Sequence, residues 1–152
     1  MTIYPNGSVS VPGVLSQSGN TYGFLENLSG SLIDERNNSL VNGNGLTING
    51  VTHEGVLLSG VTGVSVTDLK FINTSVSVYA FNDSGVSITG LNVERTTNTS
   101  GSYGIYVADS SNVLISGNVF NGTPSTIYAS ELFLSSINDP DRFSRKPYVF
   151  PL

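Results

Sequence analysis

The chain has 152 residues, of which 38% are hydrophobic and 11% charged, and it contains no cysteine. This length supports a buried core in one domain, and the lack of cysteine excludes disulfides and thiolate metal sites. The net charge of −5 argues against nucleic-acid binding, which needs clustered Lys and Arg. Because Gly, Ser, Thr and Asn are abundant, short strands and turns are favoured over long helices, and we expect an all-β protein.

Residues 1–30 alternate turn sequences with short apolar pieces. The turn sequences are Pro5-Asn6-Gly7, Pro12-Gly13 and Ser18-Gly19-Asn20. We interpret this stretch as an N-terminal capping segment, because the first rung of a stacked repeat otherwise exposes apolar surface and unpaired backbone groups.

Residues 31–137 contain a repeat of six mostly apolar positions arranged as three pairs. The second and third pairs begin at the same offsets from the first residue in each copy, and the two residues of a pair alternate as in a strand. A turn sequence such as Asn82-Asp83-Ser84-Gly85 precedes the second pair. The copies are Val56, Leu58, Val64, Val66, Leu69, Phe71; Val78, Ala80, Val86, Ile88, Leu91, Val93; Ile105, Val107, Val113, Ile115, Asn118, Phe120; and a more polar first copy, Ser31, Ile33, Ser39, Val41, Asn44, Leu46.

Such a repeat predicts a solenoid. A chain that returns to the same position after about 22 residues must coil, and each strand stacks on its predecessor at about 4.8 Å. We therefore expect a single-stranded parallel β-helix of about four to five rungs. Its core columns would be Val41, Val66, Ile88, Ile115 and Leu46, Phe71, Val93, Phe120. A jelly roll or sandwich is the main alternative, although neither requires one repeating register.

The repeat weakens near the C-terminus. A fifth copy begins at Ile127 and Ala129, but residues 131–134 give no turn sequence, so we expect the rung to end there. Pro140 and Pro147 then argue against regular strands. We interpret residues 138–152 as a C-terminal tail or cap, with its basic residues, Arg142, Arg145 and Lys146, in solvent.

Three stretches of the repeat carry a family resemblance. They are Asn42-Gly43-Asn44-Gly45-Leu46-Thr47-Ile48, Asp109-Ser110-Ser111-Asn112 and Val113-Leu114-Ile115-Ser116-Gly117-Asn118-Val119-Phe120. Together they resemble the right-handed parallel β-helix repeats of the NosD-like and carbohydrate-binding/sugar-hydrolase group, and residues 6–33 are similar to the start of such domains in archaeal surface proteins. The resemblance covers roughly residues 3–137. It implies the fold better than the function, because the group includes enzymes, periplasmic binding proteins and adhesive surface modules.

Enzymes of this group that cut acidic polysaccharides use clustered carboxylates, often with Ca²⁺. An acid and base pair needs two carboxyl groups about 5–9 Å apart on one face. Asp83 and Asp109 come closest, because both lie in the turn before the second strand of neighbouring rungs. Asp is also an expected turn residue, and the Asp pairs, Gly-His-Gly and Arg-x-Lys elements of pectate lyases and polygalacturonases are absent. We expect no catalytic residue and no cofactor, with Ca²⁺ possible only under the alternative of a polysaccharide-cleaving domain.

Metal binding has few candidate ligands in this chain. His53 is the only histidine, and with Glu54 it lacks the third partner of a metal site or catalytic relay. The copper role that the NosD resemblance suggests needs soft ligands, yet the chain has one methionine and no cysteine. We expect His53 to be a surface loop residue and no metal to be bound.

An outward row is the strongest candidate binding surface. The residue between the first two inward positions points outward, and in successive rungs it is Leu32, Leu57, Tyr79, Tyr106 and Tyr128. Exposed apolar rows often mark interaction sites, and tyrosine can stack on sugars and hydrogen-bond to them. Two alternatives remain open: stacking between rungs only stabilises the sheet, or another segment covers the row. The long loop from Glu94 to Tyr103 is a further candidate, since insertions in solenoids gather on a binding face.

We expect a non-catalytic β-helix module of a secreted or cell-surface protein, acting as a scaffold or adhesive surface. The alternative is a polysaccharide-binding or polysaccharide-cleaving domain. Expected partners are polysaccharide or other surface proteins, without nucleic acid. No apolar run predicts a membrane span and no leader sequence follows Met1, so the chain is either intracellular or a mature or excised piece. N-glycosylation sequences favour an extracellular location; they begin at Asn6, Asn27, Asn37, Asn73, Asn82, Asn98 and Asn121.

Overall fold

The computed structural model describes residues 1–51, 53–96, 102–123, 126–133, 136–138 and 149–150. These residues contain strands and turns and no helix. The strands are β1 (Thr2–Ile3), β2 (Leu15–Ser18), β3 (Thr21–Phe24), β4 (Leu28–Ser29), β5 (Leu32–Asp34), β6 (Leu40–Asn42), β7 (Thr47–Asn49), β8 (Val56–Ser59), β9 (Ser65–Thr67), β10 (Lys70–Thr74), β11 (Val76–Phe81), β12 (Ser87–Thr89), β13 (Asn92–Thr96), β14 (Tyr103–Ala108), β15 (Leu114–Ser116), β16 (Val119–Phe120), β17 (Ile127–Ser130), β18 (Leu132–Phe133), β19 (Ser136–Asn138) and β20 (Val149–Phe150).

Three sheets form the walls of a solenoid. Sheet A has the strand order β1-β5-β8-β11-β14-β17, sheet B has β2-β3-β6-β9-β12-β15-β19, and sheet C has β4-β7-β10-β13-β16. Neighbouring strands are parallel in all three sheets, except that β2 is antiparallel to β3. The chain therefore visits the sheets in turn and coils about five times. This confirms the predicted parallel β-helix and excludes a jelly roll, which is built from antiparallel strands.

Columns of inward side chains fill the interior. Val41, Val66, Ile88 and Ile115 lie in register in sheet B and are fully buried, as predicted. Tyr22 and Ile137 extend this column at its two ends. In sheet C the column contains Phe71, Val93 and Phe120. Since burial of each such side chain is worth roughly 1.5–3 kcal/mol, these columns are the main source of stability.

The strand β5 is shifted by one residue relative to the prediction. Leu32 and Asp34 face the core, so the prediction of Ser31 and Ile33 as inward residues is wrong. The turn between β5 and β6 has one residue fewer than the equivalent turns in later rungs. Offsets taken from the later rungs therefore select the wrong inward residues in β5. Asp34 is tolerated inside because its carboxylate accepts hydrogen bonds from the Ser39 hydroxyl at 2.5 Å and from a backbone N–H at 3.0 Å.

The third strand of the same rung is displaced in the same direction, by two residues. Ile48 pairs with Phe71 and is fully buried, so the prediction of Leu46 in this column is wrong. Here the turn is two residues longer than in later rungs. Asn44 stabilises it by donating from its side-chain amide to the Phe24 carbonyl at 2.9 Å, and it adopts a positive φ of 52°.

The turn between sheets A and B has the same backbone conformation in four successive rungs. Its first residue has a φ of 70° at Gly60, 57° at Asn82, 51° at Asp109 and 51° at Glu131. Gly, Asn and Asp tolerate this region, whereas Glu pays roughly 1–2 kcal/mol. At Glu131 the backbone of the preceding rung imposes the turn through two hydrogen bonds at Phe133, of 3.0 and 2.8 Å.

The last rung extends further than the sequence predicts. Strand β19 pairs with β15 and places Ile137 beside Ile115, so the prediction that the fifth rung ends at residues 131–134 is wrong. The backbone of β20 pairs with β18. The intervening residues 139–148, with all three basic residues of the predicted tail, lie outside the described part of the chain.

Residues 1–30 contribute strands to all three sheets. Strands β1, β3 and β4 pair with β5, β6 and β7, while β2 lies along the outer edge of sheet B. The Tyr22 hydroxyl donates to the Gly7 carbonyl at 2.9 Å, and the Arg36 guanidinium lies 5.7 Å from the Tyr22 ring. These contacts join the segment to the next rung. Its capping role, and the domain boundaries at residues 30 and 137, stay predictions.

Glycines in sheet A make room for aromatic rings from sheet C. A Cβ atom added at Gly55 would lie 2.6 Å from the Phe71 ring and 2.6 Å from the Ser77 carbonyl oxygen. The same relation holds between Gly104 and Phe120 two rungs later. In each of these two rungs, the phenylalanine of the sheet C column fits only because the residue facing it is glycine.

We predict that Gly55→Ala destabilises the fold by about 1–3 kcal/mol through overpacking. In a Phe71→Val background the cost of Gly55→Ala should fall by about 1 kcal/mol, because the ring is gone and only the clash with the Ser77 carbonyl remains. The measurement is a double-mutant cycle by chemical denaturation. Phe120→Val is the control background, in which the full cost should persist; an equal cost in all three backgrounds contradicts the packing argument.

Candidate functional site

The outward row of sheet A is continuous across the rungs. Leu57, Tyr79, Tyr106 and Tyr128 pair in register from β8 to β17, and each is half-buried. The residue that precedes them in the row is Ile33, which pairs with Leu57, so the prediction of Leu32 in this row is wrong. Among the described residues no other segment covers the row enough to bury it. We call these four residues together with Tyr103 the tyrosine face.

The tyrosines of this face stack on one another. The ring centroids of Tyr79 and Tyr106 are 4.9 Å apart with ring planes at 2°, and those of Tyr106 and Tyr128 are 4.7 Å apart at 9°. Tyr103 is tilted by 57° against Tyr106 and by 51° against Tyr128. Tyr103 was not predicted to belong to the row, because strand alternation from the inward Ile105 places position 103 on the inward side.

Stacking determines what the tyrosine face presents to solvent. The facing surfaces of the stacked rings cover each other, so these half-buried tyrosines present mainly ring edges and hydroxyl groups to solvent. Partial burial, followed by the neighbouring tyrosines and Asp109, raises the pKa of Tyr106. Its hydroxyl is therefore neutral at physiological pH and able both to donate and to accept a hydrogen bond.

A carboxyl pair lies at the border of this face. The side chains of Asp109 and Glu131 hydrogen-bond to each other, and this bond, with the charge of Asp109, raises the pKa of Glu131. The repulsion between two adjacent carboxylates favours the protonated form of Glu131. The repeat pattern did not pair these residues, because residues 131–134 lack the turn sequence of the earlier rungs.

Asp83 has different surroundings from Asp109. It occupies an inward turn position with 4% exposure, and its Oδ1 accepts a hydrogen bond from the Val61 N–H at 2.9 Å. Its Oδ2 is buried and has no hydrogen-bond partner, and burial raises the pKa of this carboxyl to about 6. The contacts described here thus give Asp83 a turn-stabilising role and give Asp109 a partner in Glu131. Catalysis by Asp83 with Asp109 belongs to the alternative of a polysaccharide-cleaving domain and stays an untested hypothesis.

His53 is exposed in the turn before β8. Its backbone N–H donates to the Gly50 carbonyl at 2.9 Å, and its carbonyl accepts from the Ser75 N–H at 2.9 Å. Within the described residues no group of three or more His, Cys, Asp or Glu side chains is arranged to hold a metal ion. Most of the loop from Glu94 to Tyr103, the other predicted binding feature, lies outside the described residues.

The family of this chain follows from its repeat region. Residues 18–134, more than half of the chain, match the model of a family described as periplasmic copper-binding protein (NosD). The chain belongs to the NosD family. No curated protein and no solved structure matched it. The described part of this NosD-family chain contains no helix with the length and apolar character of a membrane span.

The copper named in the family description does not fit the donors of this chain. Copper sites use imidazole, thiolate or thioether ligands. The chain has one histidine, one methionine and no cysteine, and the Met1 amino group is already bonded to the Ser31 carbonyl at 2.7 Å. The carboxyl pair of Asp109 and Glu131 offers only hard oxygen ligands. We therefore derive no chemistry from copper.

We predict that Asp83 makes the fold less stable as pH rises. The unfolded carboxyl titrates near 3.8 and the folded one near 6, so between these values the folded protein holds a proton that the unfolded chain has lost. Neutral Asp83 contributes at most about 3 kcal/mol to the free energy of unfolding. This contribution is fully present below about pH 4 and is lost as pH rises through 6. In Asp83→Asn, the decline in the free energy of unfolding between pH 5 and pH 7.5 should become smaller.

Denaturant unfolding at pH 5 and pH 7.5 measures this effect. Asp68→Asn is the matched control, because Asp68 is an exposed turn residue and its replacement removes the same charge. It should retain the wild-type decline. Part of the decline should also survive in Asp83→Asn, since burial raises the pKa of Asp34 as well. Identical pH profiles for wild type and Asp83→Asn would show that Asp83 titrates normally in the folded protein.

Proposed function

We propose that this chain is a non-catalytic β-helix module of a periplasmic or cell-surface protein and that its tyrosine face binds an uncharged polysaccharide. The observation that carries the proposal is the stack of three half-buried tyrosines, in register at spacings of 4.9 and 4.7 Å. A polysaccharide is itself a repeating polymer of rings and hydroxyl groups. A regularly spaced row of phenols offers such a polymer several equivalent weak contacts, which add up through multivalency.

Electrostatics favour an uncharged ligand. The net charge of the chain is −5, and the carboxyl pair of Asp109 and Glu131 lies beside Tyr106. An acidic polysaccharide would be repelled by both the local and the overall charge. Hydroxyl groups of a neutral sugar can instead donate hydrogen bonds to the carboxyl oxygens.

Polysaccharide cleavage has weaker support at this position. Retaining glycosidases place their two carboxyl groups about 5–5.5 Å apart, and inverting enzymes place them further apart, so that a sugar or a water fits between them. Asp109 and Glu131 are in direct hydrogen-bond contact. This contact is closer than either catalytic separation, so we propose binding rather than catalysis.

An exported location is supported by the family description, which names a periplasmic protein. We propose that the module acts as a scaffold on which the outward rows, rather than the interior, carry specificity.

We predict that Tyr79→Ser with Tyr106→Ser reduces retention on an uncharged polysaccharide at least tenfold. The double variant removes both parallel stacks and two hydroxyl groups. The measurement is affinity electrophoresis through gels containing hydroxyethyl cellulose or polygalacturonate, with glycan arrays to broaden the search. Wild type should be retarded by the uncharged polymer and not by the acidic one.

Two controls separate binding from folding. Leu114→Ser removes an exposed apolar side chain from sheet B and should leave retention unchanged. The triple variant with Phe at positions 79, 106 and 128 keeps the ring stack and should fold like wild type while losing retention. Far-UV circular dichroism checks each variant. If wild type is retained by no uncharged glycan, or if the folded serine variant binds like wild type, the proposal is wrong.

A further inference from the structure

A second surface, on sheet C, has the features of a small-molecule site. A groove of about 370 Å³ lies on its outer side, lined by Asn27, Leu28, Ser29, Thr47, Asn49 and Ile72. This volume falls within the range of small-ligand sites. The six residues come from the segment before β4 and from β4, β7 and β10, so parallel pairing of three consecutive rungs assembles the groove.

The amide orientations of the groove are fixed by the backbone. Oδ1 of Asn27 accepts a hydrogen bond from the Thr47 N–H at 2.9 Å. Oδ1 of Asn49 accepts from the Val51 N–H at 3.2 Å and from the Asn73 amide at 3.5 Å. Since each carbonyl oxygen is used in this way, the NH₂ groups of Asn27 and Asn49 are left as donors.

Further hydrogen-bonding capacity is unused in the groove. Among the hydrogen bonds of the described residues, none involves the NH₂ group of Asn27 or Asn49, the Ser29 hydroxyl or the Thr47 hydroxyl. Ile72 adds a half-buried apolar side chain on the outer side, while Leu28 pairs with the inward Ile48 and packs against the core. No lining residue is charged. The groove therefore combines two amide donors, two hydroxyl groups and an apolar contact surface.

We propose that this groove binds the acetamido group of an N-acetylated sugar. An acetamido group has a carbonyl oxygen for an amide donor, an N–H for a hydroxyl oxygen, and a methyl group for an apolar surface. The groove supplies each of these partners. A charged amino sugar lacks the carbonyl and the methyl group, and an unmodified hexose lacks all three. The site lies on a different sheet from the tyrosine face and does not depend on it.

Saturation-transfer NMR with N-acetylglucosamine tests this site, with glucose and glucosamine as matched probes. A single sugar should bind with a dissociation constant on the order of millimolar. The acetyl methyl protons should receive the largest saturation, and glucose and glucosamine should give at least fivefold less. Equal signals from N-acetylglucosamine and glucose would overturn the proposal.

Matched variants locate the binding. Ser29→Tyr places a bulky ring in the groove and should reduce the acetyl signal at least fivefold, whereas Ser65→Tyr makes the same change on the outer side of sheet B and should leave it unchanged. Thr47→Ala removes one hydroxyl and should weaken binding with wild-type circular dichroism. If the signal survives in folded Ser29→Tyr, the groove is not the site. If the serine variant of Tyr79 and Tyr106 abolishes it instead, the sugar binds at the tyrosine face and the groove proposal is wrong.

Discussion

Parallel hydrogen bonding between consecutive rungs sets the spacing of every outward and inward side chain in this protein. Strands in a sheet lie about 4.8 Å apart, and the tyrosine rings of sheet A are 4.9 and 4.7 Å apart. Ring stacking is thus a direct consequence of backbone register once the same residue type occurs in successive rungs. The same constraint covers the ring faces and leaves the edges and hydroxyl groups in solvent. It therefore determines both what stabilises the tyrosine face and what that face can offer a ligand.

The turns have to satisfy this register with residues that differ from rung to rung. Gly60 and Asn82 do so through their tolerance of positive φ, whereas Glu131 does so under hydrogen bonds from the neighbouring rung. Asp83 stabilises its turn by accepting a hydrogen bond from the Val61 N–H, but its other carboxyl oxygen is buried without a hydrogen-bond partner. An unsatisfied buried oxygen costs free energy, and protonation lowers that cost. A structural requirement at a turn thereby becomes a dependence of stability on pH.

Periodicity in the sequence predicts the columns where turn lengths are constant and fails where they change. The offsets between the apolar pairs are identical in three rungs, so Val66, Ile88 and Ile115 were identifiable as one column. The rung of Leu32 has turns of different length, and counting from its neighbours selects wrong residues. The carboxyl pair and the groove were not identifiable for another reason. Their members come from different rungs, and which of them touch depends on side-chain orientations that the repeat period leaves open.

The division between inside and outside also separates the residues that determine the fold from those that a ligand of this chain could contact. Inward residues must fit a column, so Phe71 needs Gly55 opposite it, and a side chain at position 55 would clash with the Phe71 ring. Outward residues face no such requirement. Sheet A carries tyrosines, sheet C carries amides around Ile72, and neither surface has the ligands that copper needs. The family model matches the repeat region, so the match is evidence for the fold rather than for a ligand. The ligand of each member therefore has to be inferred from its own outward rows.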